Sequence, residues 1–147
     1  MRACAFFGTR KWACAEEEKR LTESIVELIE KYEVTQFYSG GRGAFDETAS
    51  KIVGELRKIY PHIKNTLVLS YLPTDKEEYP LPEKYTDSVY FLERRIPPRY
   101  AIVETNKAIV DRVEFVITSS SGSFGGARKA CDYALKKQKT VIDVAQK

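Results

Sequence analysis

The stretch FYSGGRGAFDE, residues 37–47, decides how this chain folds. A short apolar run ends at Ser39, three glycines follow within four positions, and an acid leads into helical periodicity. Glycine has no β-carbon, so its concentration here implies positive φ angles or another molecule lying close to the main chain. The segment reads as a strand, a tight turn and a helix in immediate succession.

The same alternation continues on both sides. Towards the N-terminus, ACAFF (3–7) is a strand ending at Gly8-Thr9-Arg10. Leu21, Ile25, Leu28, Ile29 and Tyr32 then recur at helical spacing behind an acidic first turn, Glu16 to Glu18. TQFYS (35–39) is the second strand. Past the glycines, a helix beginning near Glu47 carries Ala49, Ile52, Val53, Leu56 and Ile59 inward until Pro61 stops it. TLVLSYL (66–72) is the third strand. Residues 73–87 hold three prolines and two tyrosines with no period, the mark of a functional or excursive loop. SVYF (88–91) is a weak strand, and Pro97-Pro98 opens a helix that runs through Val113. EFVITS (114–119), a helix over about 126–138 and TVIDV (140–144) complete the chain. Apolar strands alternating with helices predict a mostly parallel sheet covered by helices on both faces. The expectation is a single Rossmann-like α/β domain over residues 1–147.

Composition removes several function classes. A net charge of +3, with basic residues scattered among nearly as many acids, gives no basic stripe and argues against nucleic acid as a partner. No apolar run approaches the ~20 residues of a membrane span, and no signal-peptide pattern is present, so the cytoplasm is the expected location. Cys4, Cys14 and Cys131 are odd in number and share no CxxC spacing, which favours reduced packing thiols over disulfides or a zinc site. His62 is the only histidine and cannot build a His-based metal site alone. No Walker loop follows Gly41 and Gly43, and GxGxxG is missing after the first strand. No cofactor and no metal are expected.

In a doubly wound sheet, ligands lie beyond the carboxyl ends of the strands, where strand order reverses. Three loops should gather there: FGTRKW (7–12), SGGRGAFD (39–46) and SSSGSFGGARK (119–129). Backbone N–H groups at a helix N-terminus suit phosphate or another anion. The candidates are Gly8, Thr9 and Arg10, the last as an anion clamp; Ser39, Gly40, Gly41 and Gly43; and Ser119, Gly122, Gly125 and Gly126. Two glycines would suffice for the second turn, so at least one of its three is expected to face a ligand. Asp46 fits both a helix cap and an acceptor for ribose hydroxyls. Asn106 falls within the stripe Ile102, Val103, Ile109, Val110 and Val113, so its amide should bond either a neighbouring element or a ligand. Tyr79 and Tyr85 either stack on a base or anchor the long loop.

These segments in this order resemble the SLOG superfamily, which joins the DNA-processing protein A fold to the LOG phosphoribohydrolases. The resemblance covers nearly the whole chain and is carried by AFFGTRK, FYSGGRGAFDETAS, PPRYAIVETNKAIVDRVEFVI and SGSFGGARKACDYALKKQKTVI. It is strongest to the small stand-alone bacterial and phage members, many known only as domains of unknown function. It implies binding of a nucleotide or nucleotide-derived molecule, ADP-ribose relatives included, and it brings Arg99, which charge alone would leave facing solvent, into the site. It leaves self-association open. Catalytic LOG members carry Pro-Gly-Gly, Gly-Thr and then Glu, whereas this chain has Ser123-Phe124-Gly125-Gly126-Ala127-Arg128-Lys129 with no Glu in the turn that follows. Thr105 also stands before Asn106 where relatives often have Arg. The missing carboxylate tilts the reading away from an enzyme. The alternative is a LOG-like nucleoside monophosphate phosphoribohydrolase or a related N-glycosidic hydrolase.

Overall fold

The computed structural model describes residues 2–8, 15–41, 43–71, 81–92, 96–119 and 126–145. Within them, six strands form one wholly parallel sheet: β1 (Arg2–Phe7), β2 (Val34–Ser39), β3 (Lys64–Val68), β4 (Asp87–Val89), β5 (Phe115–Thr118) and β6 (Thr140–Asp143), in the order β4-β3-β2-β1-β5-β6. Four helices complete the described fold: α1 (Ala15–Lys31), α2 (Ala44–Leu56), α3 (Pro98–Asp111) and α4 (Gly126–Lys136). The chain builds outward from β1 to β4, returns through α3 to lay β5 against the other side of β1, and ends at β6. Strand order therefore reverses between β1 and β5.

The central strands are apolar on both sides because both faces are covered. On one face, Cys4, Phe6, Phe37 and Ile117 pack with Leu21, Ile25 and Leu28 of α1 and Phe45, Ala49 and Val53 of α2. The Phe6 and Phe37 rings stack with centroids 5.9 Å apart. On the other, Ala3, Ala5, Phe7 and Val116 pack with Ile109, Val110 and Val113 beside α3 and with Ala130 and Ala134 of α4. The α/β architecture with helices on both faces is thus the one expected.

Three local expectations are corrected. The third strand spans Lys64–Val68 rather than the expected 66–72; its last described bond to β4 is from Leu69 N–H to the Val89 carbonyl. The second helix starts at Ala44, three residues before Glu47, and stops at Leu56, where a tight turn bonds Tyr60 N–H to the Leu56 carbonyl and leaves Ile59 69% exposed. In α3 the deepest line is Ala101, Thr105 and Ile109, with Ile102 and Val103 only half-buried. Two apolar lines compete on this helix, and the inward one has the smaller side chains where α3 lies along α4.

The step from β3 to β4 has side-chain clamps in its described part. Asn65, fully buried, donates from its amide to the Ser50 carbonyl at 3.0 Å and the Lys84 carbonyl at 2.9 Å. The Thr86 hydroxyl bonds the Asn65 main chain in both directions. Gly54 makes room, since a β-carbon there would sit 3.2 Å from Lys84 Cα.

Candidate functional site

Gly8 and Ser119 directly follow β1 and β5, and Ser39 is the last residue of β2, with Gly40 next, so they share the carboxyl edge of the sheet. Gly41 (φ +66°) and Gly43 (φ +91°) adopt the left-handed region, and Gly43 is the N-cap of α2. Ser39, almost fully buried, locks the turn by accepting the Gly41 N–H at 3.1 Å through its hydroxyl. Gly40 has no positive φ, so it is the glycine of the three that the turn geometry leaves unexplained. Gly8 has a packing reason: a β-carbon there would lie 2.2 Å from Phe45 Cγ.

Because α2 is capped by Gly43, Asp46 does not cap it. Its buried carboxyl stands instead in the first helical turn, at the positive end of the helix. Tyr85 does not offer its ring for stacking. The ring is buried, with the Lys84 ammonium 5.3 Å from its centroid. Its hydroxyl is buried without a hydrogen-bond partner among the described residues, 3.5 Å from where a Gly41 β-carbon would be. Tyr85 thus supports the glycine turn from beneath.

Asn106 is half-buried rather than in the deepest line of α3. Its amide nitrogen lies 3.9 Å from the position of a β-carbon on Gly126, the first residue of α4. That brings two candidates from distant sequence together at a helix N-terminus. The first turn of α4 contains no acid and runs into Arg128 and Lys129. Arg99, at the outer end of α3, is exposed, with its guanidinium 4.7 Å from the Tyr100 ring. The exposed Tyr71, past β3, donates its hydroxyl to the Pro98 carbonyl at 3.2 Å, so two tyrosines and an arginine form a rim where α3 begins. Thr9, Arg10, Gly122, Gly125 and Tyr79 lie outside the described residues.

One polar group at this edge was not anticipated. Glu17, in the first turn of α1, is 8% exposed and accepts the Ser119 hydroxyl at 2.5 Å. A signal was available: Glu17 sits four residues before Leu21 and eight before Ile25, on the apolar face of its own helix.

Neither described cysteine is poised as a nucleophile. Burial pushes the Cys4 thiol far up, and it pushes Cys131 up against a weaker opposing bond to Thr118. Burial also raises the Tyr38 phenol, partly offset by Arg112. The described part of the edge can hold anions on backbone N–H groups and amides, and can accept donors at carboxylates. No group of three or more His, Cys, Asp or Glu suited to a metal occurs among the described residues, and no described helix is long and apolar enough to cross a membrane.

No protein-family model matches the sequence, and no curated protein matches it. Solved structures do match. DNA processing protein A from Streptococcus pneumoniae superposes with a TM-score of 0.63 at 17% identity, over 95% of this chain and 49% of that one. DNA processing protein A from Helicobacter pylori, described for its single-stranded DNA binding mode, gives 0.66 at 17% identity, over 95% and 63%. The structural-genomics target TM1055 gives 0.57 at 12% identity, over 96% and 72%. The chain thus spans about half to two-thirds of the DNA processing proteins it resembles. Six parallel strands in the order β4-β3-β2-β1-β5-β6, with two helices on each face among the described residues, and these structural neighbours show that the chain has a Rossmann-like fold shared with the DNA processing proteins.

Proposed function

We propose that this domain binds a nucleotide or nucleotide-derived small molecule at the carboxyl edge of its sheet, ADP-ribose relatives included. The supporting observation is the Asn106 amide beside Gly126 at the start of α4. A neutral donor, a helix N-terminus without acids and two following cations together favour a phosphate there. By contrast, α1 and α2 both carry acids in their first turns. Thermal denaturation with AMP, ADP-ribose and cyclic dinucleotides tests the reading. A ligand at a hundred times its Kd adds about 2.7 kcal/mol of stability. For a chain of this size that raises Tm by roughly 5–10 °C. A flat response to all three would refute it.

A second reading is single-stranded DNA, favoured by the rim of Tyr71, Arg99 and Tyr100, whose exposed rings and guanidinium suit base stacking. Oligothymidine titrations at two salt concentrations separate the readings. DNA binding would weaken steeply with salt and fall on Tyr100→Ala, whereas mononucleotide binding would do neither.

A further inference from the structure

We propose that the Tyr85 hydroxyl is a further ligand-binding group at this edge, and that it hydrogen-bonds the base of the bound nucleotide at the start of α2. The inference rests on the reading of the edge as a site for nucleotide-derived molecules, and it gives that ligand a direction.

Tyr85 is 5% exposed, and its hydroxyl has no hydrogen-bond partner among the described residues. The chain on both sides of it is pinned. Asn65 donates its amide to the Lys84 carbonyl at 2.9 Å, and Thr86 N–H bonds the Asn65 carbonyl at 2.8 Å. The Lys84 ammonium is tied in turn to Glu47 in the first turn of α2. The ring therefore cannot swing to find another partner. A buried hydroxyl left unpaired has lost the water it bonds in the unfolded chain, which is a net cost to the fold. A phenylalanine would keep the packing and the Lys84 contact, 5.3 Å from the ring centroid, without that cost. Packing gives the ring its place but gives the hydroxyl no task.

That hydroxyl is aimed at the glycine turn. It lies 3.5 Å from the point where Gly41 would carry a β-carbon, and Gly41 itself is only half-buried. The other neighbour of that point is Leu67 Cδ1 at 2.8 Å, the end of a flexible, half-buried side chain that can turn aside. Two residues on, Gly43 opens α2, and no side chain caps the helix among the described residues. A missing side chain, an unpartnered hydroxyl behind it and an uncapped helix start thus converge on one point.

The group that fits there is neutral. Asp46 and Glu47 in the first turn of α2 disfavour a phosphate, whereas the first turn of α4 has no acid. Only β1 stands between β2, which leads into Gly41, and β5, which precedes α4. Two strand spacings separate those loops by about 10 Å along the edge, a span comparable with one nucleotide. With its phosphate at Asn106 and Gly126, a nucleotide brings its far end, the base, to Gly41. A base edge carries donors and acceptors side by side, and a tyrosine hydroxyl can serve as either.

The test titrates AMP and ribose 5-phosphate into the wild type and Tyr85→Phe by calorimetry, together with ligand-free melting temperatures. Tyr85→Phe should bind AMP about three- to tenfold more weakly, the worth of one hydrogen bond, and melt no lower than the wild type. Ribose 5-phosphate, which lacks the base, should not distinguish the two proteins. An unchanged affinity for AMP overturns the assignment of Tyr85 and leaves the site standing. So does a variant that melts several degrees lower, since the hydroxyl would then hold the fold. Equal weakening of both ligands overturns it as well, because the bond would then go to the sugar or the phosphate. A wild type that binds neither ligand overturns the underlying reading for mononucleotides together with this one.

Discussion

Gly8→Ala is the substitution whose outcome the packing determines most directly. The new methyl would lie 2.2 Å from Phe45 Cγ and 2.5 Å from its Cβ and Cδ2, inside van der Waals contact. Phe45 cannot yield locally, because it is fully buried among α2, α1 and the sheet. Overpacking of this kind costs ~1–3 kcal/mol, and displacing a buried phenylalanine forfeits ~1.5–3 kcal/mol. These are two descriptions of one event, so the expected loss is about 2–3 kcal/mol, or roughly 4–12 °C in Tm for a chain of this size. Phe45→Ala alone should cost ~3–5 kcal/mol through its cavity. In the double variant the methyl added at Gly8 occupies space the ring has vacated, so the two losses should fall short of their sum by about 1–3 kcal/mol. Urea denaturation of the four proteins measures the coupling. Additivity within about 0.5 kcal/mol would refute the packing account and return Gly8 to the list of glycines that admit a ligand.

Other outcomes follow from the same geometry. Gly41→Ala should cost ~1–2 kcal/mol because its φ of +66° disfavours a side chain, whereas Gly40→Ala should leave stability within about 0.5 kcal/mol and weaken nucleotide binding; equal effects of the two in urea denaturation would show the turn has been misread. Asn106→Ala should barely change Tm while lowering affinity by ~1–3 kcal/mol, and a large melting drop with unchanged affinity would remove Asn106 from the site. Asn65→Ala orphans two carbonyls and should destabilise by ~2–4 kcal/mol, with faster amide exchange in β4 than in β1. Burial raises the folded-state pKa of the Cys4 thiol and the Tyr38 phenol above their ordinary values of 9.0 and 10.0. The folded protein then holds protons that the unfolded chain releases, so stability should be complete below about pH 8 and fall as pH rises through about 9 and beyond. Cys4→Ala should flatten the early part of that decline; an unchanged pH profile would locate the alkaline loss elsewhere.

The architecture was legible because each strand and helix announces itself by a different period, and because glycine or proline punctuates the joins. Gly40 to Gly43 and Pro97-Pro98 place two helix starts within a few residues. The direction in which α3 faces was not legible. Ala101-Ile102-Val103 offers two adjacent apolar lines, and the choice between them depends on how closely α4 approaches, a non-local distance. The same limitation hid the reason for Gly8, whose partner Phe45 lies in another βαβ unit. Glu17 was overlooked for a different cause: an acid in a first helical turn already has a sufficient explanation in the helix dipole, which masks its place on the buried face. The neighbour of Asn106, Gly126, comes from the next crossover, so their proximity could not be read from either segment.

The position of β1 has a consequence for how the chain is made. It is the strand with β2 on one side and β5 on the other, and its last neighbours are distant in sequence; Ala3 N–H bonds the Glu114 carboxylate across 111 residues. A ribosome adding ~5–20 residues per second needs roughly 5–20 seconds to cover that interval. Throughout it, β1 can pair with β2 but presents its other edge bare, with Cys4, Ala5, Phe6 and Phe7 side by side. An open apolar edge is a template for any other extended chain. Newly made copies should therefore be most prone to clump while translation passes through α3, and slowing synthesis in that region should lower the soluble yield more than slowing it after β5 has emerged.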